Sequence, residues 1–218
     1  MNTRIAALVA AAALVAAPFA LARQGTPGAA PATVTAQQGL SAAQRTALLG
    51  EIATSMQKVK TASGKFEQLA PDFSVTSGTF ALSRPGKVRF DYDDPSPLLI
   101  VSNGTTVALQ DDELETTDRV PLGSTPLSLL LDDKLDFETE AEILDVVQAG
   151  GQVAVTLSDR SGEMDGTLTL IFTGPDHDLT GWRTVDGGGN VTSVALSDVV
   201  TGKKLNPRLF TVKDFDDE

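Results

Sequence analysis

Residues 82–92, LSRPGKVRFDY, hold two short runs of alternating character around a proline–glycine break. Counted by twos, Phe80, Leu82 and Arg84 share one face of a strand that ends at Pro85, and Val88, Phe90 and Tyr92 share one face of the strand that leaves Gly86. So short a turn makes the two strands antiparallel neighbours. Arg84 falls in phase with the apolar residues, where a guanidinium is costly unless its donors are met. The stretch predicts a sheet with one apolar face and a cation at the end of that face.

The same period-two grammar extends on both sides. It predicts strands at 65–70, 76–84, 87–93, 97–102, 105–111 and 114–120, with turn signals at Arg84-Pro85-Gly86, Asp93-Asp94-Pro95 and Asn103-Gly104. The pattern breaks at Pro121–Leu131, where Ser124 as a cap and Pro126 in the first turn predict a short helix with Leu127, Leu130 and Leu131 on its apolar side. Further strands are expected at 134–148, 152–159, 166–173, 178–186, 191–200 and 208–213, about a dozen in all. Upstream, Ser41-Ala-Ala-Gln44 has the form of a capping box, and Leu48, Leu49, Ile52, Met56 and Val59 recur at three and four as one stripe of an amphipathic helix. Short loops make the strands a meander, and so large an open sheet curls. The expected fold is mainly β, a strongly curved antiparallel half-barrel of about 11–12 strands covered by the amphipathic helix and the short inserted one.

The first residues belong to no fold. Met1–Arg4 is a short basic start, Ile5–Phe19 is apolar, and Ala20-Leu21-Ala22 is an A-x-A-like site, so residues 1–22 read as a cleaved secretory signal peptide rather than an uncleaved anchor. Residues 23–40, with their prolines and small polar residues, read as a flexible linker, which leaves residues 41–218 as one domain.

With 17 basic and 29 acidic residues the chain carries a formal charge of −12, and residues 1–22 hold one base and no acid. Such a chain is a poor partner for nucleic acid or for anionic lipid head groups. It has no cysteine, which excludes thiol catalysis, cysteine metal sites and a lipid anchor on cysteine. The single histidine, His177, lies in Gly-Pro-Asp-His-Asp, a turn composition that reads as an exposed loop. Asp159–Asp165 spaces oxygens at every second residue, as calcium loops do, but lacks the later bidentate glutamate and reads equally as an acidic hairpin turn. Gly187-Gly188-Gly189-Asn190 reads as a turn, not a phosphate cradle. No catalytic group, metal or cofactor is expected. The anomaly is apolar surface: a lidded half-barrel is one way to build an apolar cavity, although residues alone do not separate a hollow interior from a filled one.

The order amphipathic helix, Phe66-Glu-Gln68, then Leu82–Tyr92 resembles the periplasmic outer-membrane lipoprotein carrier family, LolA. So do Ile100-Val-Ser-Asn-Gly104, Asp112–Glu115, Pro126–Leu131 and the closing Leu209-Phe-Thr-Val212, which together take in about Ser41 to Val212. The resemblance implies a carrier that takes acylated lipoproteins from an inner-membrane ABC transporter across the periplasm to the outer membrane. It also implies a monomer, and leaves an outer-membrane receptor open as a partner. Arg84 is then the lid latch, and Val88 lies near the cavity mouth. The implied acyl-chain cavity and lid comprise Leu48, Leu49, Ile52, Met56, Phe66, Phe80, Leu82, Val88, Phe90, Tyr92, Leu98, Ile100, Leu127, Leu130 and Leu131. Two departures alter the shape of the wall: Phe90 stands where the family usually has Trp, and Thr105–Gln110 lacks the family's aromatics. The alternatives are an envelope lipid-binding or structural half-barrel without lipoprotein transport, and an envelope hydrolase that brings His177 together with a carboxylate.

Overall fold

The computed structural model describes residues 40–132, 141–160, 166–212 and 215. The expected signal peptide, all but the last residue of the expected linker, the beginning of the strand expected at 134–148 and most of the Asp159–Asp165 carboxylate stretch lie outside the described residues.

Helix α1 (Ala42–Lys58) starts on the capping box its sequence announces: the Ser41 side chain accepts from the Gln44 N–H at 3.4 Å, and the Ser41 N–H donates to Gln44 Oε1 at 3.0 Å. Leu48, Ile52 and Met56, four apart, form its buried stripe. The strands that follow are β1 (Thr61–Leu69), β2 (Val75–Ser83), β3 (Lys87–Tyr92), β4 (Leu98–Asn103), β5 (Thr106–Asp111) and β6 (Thr116–Pro121). A 3-10 turn at Leu122–Ser124 and helix α2 (Leu127–Leu131) come next. Then come β7 (Ala141–Ala149), β8 (Gln152–Asp159), β9 (Thr167–Thr173), β10 (Asp178–Val185) and β11 (Val191–Thr201).

Among the described residues these form one antiparallel sheet in the order β6-β5-β4-β3-β2-β1-β11-β10-β9-β8-β7. The β1–β11 ladder, with Phe66 opposite Leu196, joins the two meanders. The sheet stays open, with β6 and β7 as its edges, and the chain that leads from one edge to the other carries α2. Register puts Phe80 opposite Phe90 and Phe90 opposite Ile100 in one meander, and Val155 opposite Leu170 and Leu170 opposite Trp182 in the other. Because side chains alternate, all of these point to one face, where α1 and α2 pack on them to make a single core.

The structure departs from the sequence expectation in four places. β1 begins at Thr61 rather than 65: the small residues Thr61–Gly64 carry no strong strand signal, and it is the ladders to β2 and β11 that extend them. The strand expected at 208–213 is a 3-10 turn at Pro207–Phe210. Pro207 has no N–H to give a ladder, and the Asn206 side chain caps the turn by accepting from the Arg208 N–H at 3.0 Å. Phe210 then lies beside Val101 and Ala108 on the convex face, a second and smaller apolar cluster. Ser124 does not cap α2: its hydroxyl donates to the Pro121 carbonyl, and Pro126 occupies the cap position. Leu129, absent from the expected apolar side, is buried along with Leu130 and Leu131, because both sides of so short a helix are covered.

Phe172 has no exposed surface and lies opposite Val153 in the centre of the core. Phe172→Ala is expected to lower unfolding free energy by about 3–5 kcal/mol, from lost transfer energy and a residual cavity. The shift of the denaturant midpoint, followed by circular dichroism, measures it.

Candidate functional site

Arg84 follows the last residue of β2, at the start of the turn into β3, and its surroundings are built from backbone. Its own N–H donates to the Lys60 carbonyl at 2.8 Å. Nη1 of its side chain donates to the carbonyls of Met56 at 2.6 Å and Val59 at 2.8 Å, and Nη2 to that of Leu130 at 2.9 Å. Met56 and Val59 end α1, and Leu130 is in the last turn of α2. Carbonyls at helix C-termini have no intrahelical donor and carry partial negative charge, so a cation there meets both needs at once. The planar fork of arginine lets one side chain serve both helix ends.

The turn itself is pinned as well. The Gly86 N–H donates to the Leu131 carbonyl at 3.0 Å, and the buried Ser102 hydroxyl donates to the Gly86 carbonyl at 2.6 Å. Gly86 has φ +73°, and a Cβ placed on it would lie 2.8 Å from the Gly104 Cα, so both conformation and space require glycine.

Between α2 and the concave face lies an apolar cleft. Its walls are Phe66, Phe90, Tyr92, Ile100, Leu168, Trp182 and Val194 on the sheet, Pro126, Leu127 and Leu130 on the α2 side, and the polar Gln68, Thr184 and Thr192. Phe66 is the hub of the aromatic wall, edge-on to Phe90 at 5.2 Å and to Tyr92 at 4.9 Å, with Trp182 6.0 Å from Phe90. Burial pushes the Tyr92 phenol far above its ordinary pKa, the bond to Gln68 opposing that shift only in part, so the phenol stays protonated and donates to Gln68 Oε1 at 2.9 Å. The space open to the centre of a water-sized sphere is about 60 Å³. At about 10–15 Å³ per water on that measure, it holds a handful of waters and no long acyl chain.

The residues expected to line a cavity therefore separate. Phe66, Phe90, Tyr92, Ile100, Leu127 and Leu130 line the cleft. Leu48, Ile52, Met56, Phe80, Leu82 and Leu131 belong to the packed core, with Leu49 half-buried against it. Val88, expected near the mouth, is 1 % exposed in that core, opposite Leu82 and Ser102 near the Arg84 turn. Leu98 reaches neither cleft nor core: it opens β4, and its cross-strand partner on the same face is Asp111, so the sheet there is polar. The sequence reading missed Gln68, Leu168, Trp182, Thr184, Thr192 and Val194. The alternation Leu168-Leu170-Phe172 was available as a signal, but nothing local to β9–β11 shows which face meets the other meander.

His177 lies in the turn before β10, as its composition indicates, but its side chain is only 14 % exposed. It packs against α1, with Nε2 3.2 Å from Glu51 Oε2, while the Ser55 hydroxyl donates to the neighbouring Asp176 carbonyl at 2.6 Å. These contacts tie the turn to α1 and lie apart from the cleft lining.

Comparison with known proteins shows the family. The family profile described as "Outer membrane lipoprotein carrier protein LolA" matches residues 57–213. An outer-membrane lipoprotein carrier protein of Methylococcus capsulatus is 31 % identical over 182 residues, covering 79 % of this chain and 86 % of that protein. One from Pseudomonas aeruginosa is 30 % identical over 183 residues with the same coverage. Among solved structures, a LolA superfamily protein of Nitrosomonas europaea is 10 % identical with a TM-score of 0.43, over 75 % of this chain and 97 % of that one. By the extent of the profile match and the identity to its curated relatives, the chain belongs to the LolA family of outer-membrane lipoprotein carrier proteins.

Proposed function

We propose that this chain is a periplasmic carrier that shields the acyl chains of lipoproteins under its helices and moves them from an inner-membrane ABC transporter to the outer membrane. It acts as a monomer, by binding alone, after removal of residues 1–22, and an outer-membrane receptor remains open as a partner. The family and the names of its relatives, outer-membrane lipoprotein carrier proteins, support the cargo class. The observation that carries the mechanism is the guanidinium shared between the ends of α1 and α2.

The energetics favour such a device. A buried CH₂ is worth roughly 0.8 kcal/mol, so an acyl chain of about 16 carbons costs on the order of 10 kcal/mol to leave in water. The cleft as it stands is too small for that chain, so α2 has to lift. Lifting gives up the Arg84–Leu130 bond and the Gly86–Leu131 bond. A hydrogen bond to a charged group contributes about 1.5–3 kcal/mol and a neutral one about 1 kcal/mol. Lifting also uncovers the buried Leu129, Leu130 and Leu131, at about 1.5–3 kcal/mol each, so the acyl chains of the cargo select the open state by covering the apolar wall those leucines leave, and loss of cargo lets the latch close again.

The small cleft also suits a second reading, a half-barrel that is simply packed and serves as an envelope lipid-binding or structural domain. Protein purified from the periplasm separates the two. The carrier is expected to bring acylated polypeptide with it, detected by mass spectrometry, whereas repeated recovery of empty chain favours the packed domain.

Arg84→Leu is expected to speed hydrogen exchange at the Leu131 and Asp132 amides and to impair cargo transfer, while amides of β8 and β9 keep their protection. Uniform loss of protection would make Arg84 a structural residue instead. Arg84→Lys is expected to behave much like Arg84→Leu in exchange, since one ammonium does not reproduce a fork spanning both helix ends.

A further inference from the structure

Three threonine hydroxyls, Thr76, Thr184 and Thr192, are buried with no hydrogen-bond partner among the described residues. Register places all three on the concave face. Thr184 lies opposite Thr192 across β10 and β11, and Thr76 lies opposite Gln68 across β2 and β1. Thr184 and Thr192 are each 2 % exposed, and with Gln68 they line the cleft. Gln68 Oε1 already accepts from Tyr92, which leaves the amide N–H groups of Gln68 to donate.

Buried hydroxyls without partners are costly and uncommon, and here they gather at one end of an otherwise apolar cleft. That end is set by strand direction. The ends of β1, β3 and β10 and the starts of β2 and β11 meet there, whereas Arg84 and the C-terminal ends of both helices lie at the other. Among the described residues the cleft lining at this end offers donors and no cation: Thr184, Thr192 and Gln68 are neutral, the adjacent turns carry Asp72, Asp93, Asp94 and Asp186, and Arg160 in the β8–β9 turn donates away to the Ala141 carbonyl. Donors without a cation, beside carboxylates, suit a neutral acceptor and disfavour a phosphate or a free carboxylate.

We propose that Thr184, Thr192 and Gln68 bind the ester carbonyl oxygens of the cargo's glyceryl-linked acyl chains, so that the chains run from this end toward Arg84 and the polypeptide leaves over the Asp-bearing turns. This rests on the carrier reading above and specifies which part of the lipid is recognised and which way it points.

The test uses the whole protein and two probes: a short peptide whose N-terminal cysteine bears a dipalmitoylglyceryl group, and its dihexadecyl ether analogue, which lacks the carbonyls. Trp182, the only tryptophan in the chain, lines the cleft and reports binding by its fluorescence. The diester is expected to bind about tenfold more tightly than the diether, as two neutral hydrogen bonds allow. In the Thr184→Val/Thr192→Val double variant, which keeps side-chain shape, the ratio of the two affinities is expected to fall toward one. Equal binding of both probes by the unaltered protein overturns the carbonyl site while leaving the carrier reading intact, and so does an undiminished ratio in the double variant. Failure to bind either probe overturns the carrier reading and this proposal with it. Preference for dipalmitoylphosphatidylglycerol over the diester peptide overturns the neutral-acceptor assignment.

Discussion

Three backbone carbonyls from the ends of two helices converge on the guanidinium of Arg84, and the arrangement of the concave side depends on that convergence. Without that donor, the Val59 and Leu130 carbonyls would lose their charged partner beside an apolar core, and the Met56 carbonyl would keep only its bond from the Val59 N–H. Without those carbonyls, a guanidinium in phase with Phe80 and Leu82 would be an uncompensated cation. Each half makes the other tolerable. The contact also fixes the relative placement of two helices that are far apart in sequence, and through Gly86 and Ser102 it ties both to the β2–β3 and β4 region.

An open sheet sets a second constraint. With β6 and β7 unpaired to one another, nothing in the strand ladders closes the concave face, so helices must cover it. α1 does this by packing: Leu48, Ile52 and Met56 are core residues, and the His177 and Asp176 contacts hold its flank. α2 is only five residues long; it buries Leu129, Leu130 and Leu131 and borders the cleft through Leu127 and Leu130. The two helices therefore divide the covering between a long one and a short one, whose C-terminal ends meet at Arg84.

Much of this was legible in the sequence where one local signal governs one element. The capping box at Ser41, the stripe on α1, the Arg84-Pro85-Gly86 turn and the Asn103-Gly104 hairpin each act over a few residues and fold as they read. Legibility failed where a distant partner decides. Thr61–Gly64 became strand because β2 and β11 flank it, and Pro207–Phe210 became a turn on the convex face because proline leaves no donor for a ladder. For the site, alternation placed Phe66, Phe90, Tyr92 and Ile100 on the right face, but it said nothing of the second meander, so Trp182 and the threonines were missed. Trp182 now stands 6.0 Å from Phe90, so aromatic bulk reaches that part of the wall from a strand about ninety residues away in sequence. Leu98 shows the limit from the other side, sharing parity with Ile100 but facing Asp111.

The strand order has a consequence for how the molecule fails and how it moves. Among the described residues the first strand pairs with the last, which joins the two meanders, while α2 lies on the chain between the two free edges. In the opening proposed above, displacing α2 breaks no rung of any strand ladder; its cost lies in the bonds to Arg84 and Gly86 and in the burial of Leu129, Leu130 and Leu131. On that reading the ladders that hold the two meanders together stay intact while the helix moves, so opening does not have to pass through unfolding of the sheet.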